Sequence, residues 1–205
     1  CFLEEVNNME DNKGRQRVHL EHDFGERSVF TLRGALEWVL VILIALAATF
    51  LIRSFVVEPF VVPTGSMEHT IEEHDQILAQ KVTLELGMPV RQGDIVVFHN
   101  PDKTTGHDLL VKRVIATAGQ TVDLQDGKVV VDGQVLDEGY TAGMSWPLSE
   151  NITFPYTVPD DCVWMMGDNR ENSADSRIFG PVKSSDLVAV ALVRYWPLNR
   201  IGAID

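Results

Sequence analysis

At 205 residues and a formal net charge of −13, with no block rich in Lys or Arg, the chain is too acidic to be a nucleic-acid binder. Apolar residues make up 45% of it, enough for an ordinary core, but they are unevenly spread. It carries no zinc spacing, calcium loop or phosphate-cradling glycine loop, so neither a metal nor an organic cofactor is called for.

Residues 1–33 mix charges, Asn and Gly with little periodicity and read as a flexible tail. His19 and His22 are close enough in sequence to share a metal, but without Cys or further His nearby a solvated pair is expected. From Ala35 to Ile52 every residue except Glu37 and Thr49 is apolar, and as a helix this run is about 27 Å long. The alternative, a core helix of a soluble domain, would show a polar stripe, and this run has none. Trp38 and Arg53 suit the two interfaces of a bilayer, so residues 34–53 are expected to cross a membrane once. The long charged tail ahead of the run argues against a cleavable signal peptide. Lys13, Arg15, Arg17, Arg27 and Arg33 precede the span, which places the tail on the cytoplasmic side and residues 54–205 outside. Cys162 is the single cysteine of that outer part, so no disulfide can form within it, and Cys1 in place of Met reads as a truncated start.

Beyond the span the chain reads as mostly β. Phe55 to Val62, rich in Val and Phe but broken by Pro59, is expected to be an edge strand leading into a turn at Ser66. Further strands are expected over residues 76–82, 94–98, 109–116, 121–124, 128–131, 162–166 and 187–195. Asp126-Gly127 and Asp132-Gly133 mark tight hairpin turns at close spacing, as in a small meander. The Asn151-Ile152-Thr153 sequon lies within the same stretch and is read as chance.

Chemistry concentrates in three segments. Pro63-Thr64-Gly65-Ser66-Met67 offers a serine after the first strand, and Val111-Lys112-Arg113 offers a lysine inside an apolar strand. A serine hydroxyl becomes a good nucleophile when a base takes its proton, and a lysine can be that base if burial keeps its amine neutral. The third segment, Gly167-Asp168-Asn169-Arg170-Glu171-Asn172-Ser173-Ala174-Asp175-Ser176-Arg177, is denser in charge and hydroxyl groups than a turn requires. A Ser/His/Asp arrangement using His69 or His74 is the competing assignment for Ser66, but it leaves Lys112 and Ser173 without a role.

Together with Gly93 to Phe98 (GDIVVF), these segments, in this order, resemble the signature boxes of bacterial type I signal peptidases. The resemblance runs from the apolar span to about Trp196. It implies an external β-rich catalytic domain with a small inserted β subdomain at about 119–161, a stretch that carries no catalytic signal. It implies Ser66 as nucleophile, Lys112 as general base, and the Ser66 N–H with the Thr64 hydroxyl as oxyanion donors. It further implies Ser173 orienting the lysine, Asp168, Asp175 and Arg177 as structural support, and Phe60, Val62, Ile77, Val97 and Val111 lining shallow pockets for small residues. The implied function is removal of signal peptides from exported preproteins at the bacterial plasma membrane, with lipid and the secretion translocon as partners. A non-catalytic assembly chaperone for surface proteins is the runner-up, and a self-cleaving Ser/Lys repressor ranks lower because no DNA-binding helix pair precedes the domain. Two departures stand out: His69 where the family commonly has proline, and His74 where it has glycine.

Overall fold

The computed structural model describes residues 32–104 and 106–204. The expectations for the tail, including Cys1, His19 and His22, lie outside the described residues. Helix α1 (Leu32–Phe55) contains the expected span, and Gly34–Arg53 is long and apolar enough to cross a membrane. Its large side chains from Leu36 to Ile52 are all exposed. In water each would forgo roughly 1.5–3 kcal/mol of burial, so the helix is built for an apolar surrounding.

Most of the remaining chain is strand. The larger sheet is antiparallel and contains eight strands, seven of which run in the order β1 (Val57–Val61), β2 (Gln76–Gln80), β11 (Leu187–Trp196), β3 (Ile95–His99), β4 (Leu109–Thr117), β9 (Cys162–Met166) and β10 (Val182–Lys183); β12 (Gly202–Ala203) pairs with β11. A second sheet of four strands, in the order β7 (Gln134–Val135), β6 (Lys128–Val131), β5 (Thr121–Gln125) and β8 (Tyr156–Thr157), is built from residues between β4 and β9. Pro59 sits on β1, an edge strand paired only with β2, where its missing N–H costs no ladder bond. The hairpins turn at Asp126-Gly127 and Asp132-Gly133, with positive φ at all four residues, the geometry that two-residue loops between twisted strands require.

Alternation along the strands builds cores on both faces of the large sheet. Ile95 and Val97 join one buried cluster with Val62, Met67, Ile71 and Ile77, while Val96 and Phe98 join another with Val114 and Met165. A third cluster packs Trp164 against Val122, Val129 and Val158 of the small-sheet segment, with Phe154 and Tyr156 rings 5.7 and 5.0 Å from it. The elements missed from sequence are short. The one-turn helices α2 (Val82–Glu85) and α3 (Ser176–Phe179), and the two-residue strands β7, β8, β10 and β12, are too brief to show a period.

Candidate active site

The chain leaves β1 in an extended path and tightens into a single 3₁₀ turn at Gly65–Met67, with Thr64 still extended at φ −140°. That turn carries Ser66. Lys112 lies in the middle of β4, opposite Val96 on β3, with Leu110 and Val114 two residues away on either side along the same strand face. Their surroundings make the lysine 1% exposed. Its Nζ is 2.5 Å from Ser66 Oγ and 3.0 Å from the Val111 carbonyl. Burial lowers the Lys112 pKa to about 8, against the opposing pull of Asp175 and Asp168. An amine with that pKa is deprotonated often enough near neutral pH to act as a base.

Thr64 Oγ1 is 3.4 Å from Ser66 Oγ, so the two hydroxyls face one space. Both, together with Lys112, border a cavity of about 250 Å³ whose walls include Asn100, His107, Leu110, Ala174 and Phe179. Neither His69 nor His74 lines it; His107, from the loop between β3 and β4, does. Phe60, Val62, Ile77, Val97 and Val111 are brought together, but as part of the first core cluster rather than as walls of this cavity.

The loop after β9 cradles the pair. Asn169 donates its backbone N–H to Ser66 O at 3.1 Å and its side-chain amide to Gly65 O at 3.2 Å and Glu68 at 2.8 Å. Arg113 reaches both oxygens of Asp168, at 3.0 and 2.8 Å, and Thr70 donates to the same carboxylate at 2.6 Å. Asp175 accepts from Arg177 Nε and Nη2 at 2.9 and 2.8 Å and from the Gly167 N–H at 3.1 Å. Asp168, Asp175 and Arg177 are each fully buried. Among the described residues Ser173 Oγ is buried without a hydrogen-bond partner, so no bond joins it to Lys112. It lies instead against Gly167.

Gly167 itself was not singled out from sequence, although a glycine opening a polar run is the available signal. A Cβ added there would overlap Ser173 Oγ and the Ser66 carbonyl. Gly167→Ala is therefore expected to cost about 1–3 kcal/mol of stability through overpacking and to displace the nucleophile turn. Thermal unfolding and cleavage rate of the same preparation would check it; an alanine variant with wild-type values for both would mean that the turn has slack.

Residues 35–196 match the family described as signal peptidase, peptidase S26. The chain is 39% identical over 173 residues to a probable signal peptidase I-1 of Synechocystis sp., covering 82% of this chain and 86% of that one. It is 34% identical over 173 residues to the signal peptidase I P of Bacillus subtilis subsp. natto, covering 81% and 91% respectively. A solved signal peptidase I from Enterococcus faecalis aligns at 28% identity and a TM-score of 0.42, over 50% of this chain and 96% of that one. The family match spans the apolar helix, the serine turn, the lysine strand and the polar loop together, and the chain belongs to the signal peptidase family, peptidase S26.

Proposed function

We propose that this protein is a membrane-anchored serine endopeptidase that removes N-terminal signal peptides from secreted preproteins, with Ser66 as nucleophile and Lys112 as general base. The observation that carries this reading is the 2.5 Å approach of Ser66 Oγ to a buried amine whose pKa is lowered to about 8. As Ser66 Oγ bonds to the scissile carbonyl carbon, its proton passes to neutral Lys112 and the carbonyl electron pair moves onto oxygen. The Ser66 N–H and the Thr64 hydroxyl receive that oxyanion. Collapse breaks the C–N bond, Lys112 returns the proton to the departing amine, and the signal peptide remains as an ester on Ser66. Water, deprotonated by Lys112, then attacks the ester and frees Ser66. Ser173 is assigned to hold the amine while it carries the proton, its buried hydroxyl having no competing partner among the described residues.

Small residues before the cleavage point are the proposed specificity, with Phe60, Val62, Ile77, Val97 and Val111, which pack with Met67 next to the nucleophile, as the proposed lining of shallow pockets. Val62, Ile77, Val97 and Val111 are each 7% exposed or less, so they present little free surface to a substrate side chain, as a preference for small residues requires. The basic residues ahead of α1 favour a single-pass topology with the tail inside and residues 54–205 outside the plasma membrane. Lipid and the translocon that delivers the preprotein are then the neighbours of the site. Wild-type enzyme in lipid should cut a preprotein after an Ala-x-Ala sequence; failure on several such substrates would overturn the assignment and favour the chaperone.

The same lysine sets the pH dependence. kcat/KM is expected to rise with pH through an apparent pKa near 8 and to level off above it, because only neutral Lys112 can accept the proton. A profile flat from pH 6 to 9 would exclude Lys112 as the base. Stability follows with a definite sign. Between pH 8 and 10.5 the unfolded chain keeps a proton on Lys112 that the folded chain has released, so the Lys112 contribution to stability grows more favourable as pH rises through that window.

A further inference from the structure

Between β7 and β8 the segment from Glu138 to Ser145, in which no catalytic group was expected, is tied to the loop after β9 at several independent points. Ala142 forms a parallel bridge with Asn169, its N–H donating to Asp168 O at 2.9 Å while the Arg170 N–H donates to Ala142 O at 2.8 Å. The Arg113 guanidinium lies 3.9 Å over the Tyr140 ring. Above all, Glu138 accepts from both terminal nitrogens of Arg170, at 2.6 and 3.1 Å, and Ser145 Oγ accepts from Nη1 at 2.7 Å. Arg170 is 1% exposed and Glu138 is 10% exposed at the side chain.

The remaining guanidinium nitrogen links this segment to the nucleophile turn. Arg170 Nε donates to Gly167 O at 2.9 Å, and Gly167 is the residue packed against the Ser66 carbonyl and Ser173. A guanidinium is a rigid plane, so fixing two of its nitrogens on Glu138 fixes the direction of the third. We propose that Glu138, outside the signature boxes, is a positioning residue for the Ser66 reaction, holding Arg170 so that its Nε pins the Gly167 backbone under the nucleophile turn. The inserted segment is thereby a working part of the site rather than a passive addition to it. This inference rests on the Ser66/Lys112 reading.

With a neutral side chain at 138 the buried cation loses its charge partner, turns toward the acceptors that remain, and slackens its hold on Gly167. The groups proposed to bind the peptide, Phe60, Val62, Ile77, Val97 and Val111, are untouched, so the turnover step is affected and substrate affinity is not. Glu138→Gln is expected to lower kcat by about tenfold or more, at a KM within about twofold of wild type, because small displacements of a nucleophile are costly. Glu138→Asp, which keeps the charge, is expected to recover part of that loss.

The test is preprotein cleavage in lipid by the full chain, with kcat expressed per folded enzyme and measured well below each variant's unfolding temperature. Wild-type cleavage, absent in Ser66→Ala, is established first in the same assay; a silent wild type counts against the Ser66/Lys112 reading, whereas an unaffected Glu138→Gln counts against this one. A raised KM at unchanged kcat would also overturn the proposal, by moving Glu138 to substrate binding. Should Glu138→Gln fail to fold, Ser145→Ala removes one acceptor from the same guanidinium. A reduced kcat at unchanged KM then supports the positioning role, and an unchanged kcat overturns it.

Discussion

Ser66→Ala and Lys112→Ala are each expected to lower kcat for preprotein cleavage by about 10⁴-fold, with the double variant no worse than either single one. Non-additivity is the informative part. If Lys112 acts only through the Ser66 proton, removing the serine leaves the lysine with nothing to do, and the second substitution is free. Lys112→Arg should be as inactive as Lys112→Ala, because a guanidinium keeps its proton at any working pH and cannot serve as a base. The 2.5 Å contact and the 1% exposure of Lys112 make these variants local changes, so folded protein is expected in each case and circular dichroism would verify it. His107 borders the same cavity and supplies the counter-hypothesis. A Lys112→Ala enzyme retaining a tenth or more of wild-type activity, lost on further His107→Ala substitution, would transfer the base role to the histidine.

The parts of this molecule that were legible in its sequence are those in which one physical rule acts over several consecutive residues. The β9 run Cys162–Met166 is a continuous apolar stretch, the β4 run Leu109–Thr117 is apolar but for Lys112, Arg113 and Thr117, and the Asp-Gly pairs at 126–127 and 132–133 fix two hairpins by backbone conformation alone. What escaped was set by contact across distance. Nothing near Glu138 in sequence announces Arg170, 32 positions away, as its partner. The two histidines after the nucleophile show a third case. His74 adopts φ +68°, the left-handed conformation for which glycine is the usual choice, so the backbone of the expected turn is retained at some strain. His69 adopts φ +81°, which proline, fixed near −65°, cannot do. The replacement of proline by histidine there accompanies a different local path, and the departure noted in sequence is a real one in structure.

Asp175→Ala is expected to destabilise the folded domain by about 4 kcal/mol, the usual consequence of removing one partner of a buried ion pair. Asp175 and Arg177 are both 0% exposed, and Asp175 also accepts the Arg177 backbone N–H at 3.1 Å where it caps α3. Without the carboxylate, Arg177 is left buried with the Arg170 carbonyl, at 2.8 Å, as its remaining hydrogen-bond acceptor. For a domain of this size the melting temperature should fall by roughly 8–16 °C; a fall of less than 2 °C would mean that water reaches the guanidinium. Replacing both residues by apolar ones of similar volume, Asp175→Leu with Arg177→Met, should recover much of that stability, since the stranded charge and not the missing attraction is the main cost. Activity should not return with it. Asp175 also receives the Gly167 N–H at 3.1 Å, and Gly167 supports the Ser66 turn, so a repaired core still lacks the bond that sets the nucleophile. A double variant that regained both stability and wild-type kcat would confine the ion pair to holding the fold. One that regained stability alone would show that the carboxylate, without touching the substrate, is part of how Ser66 is placed.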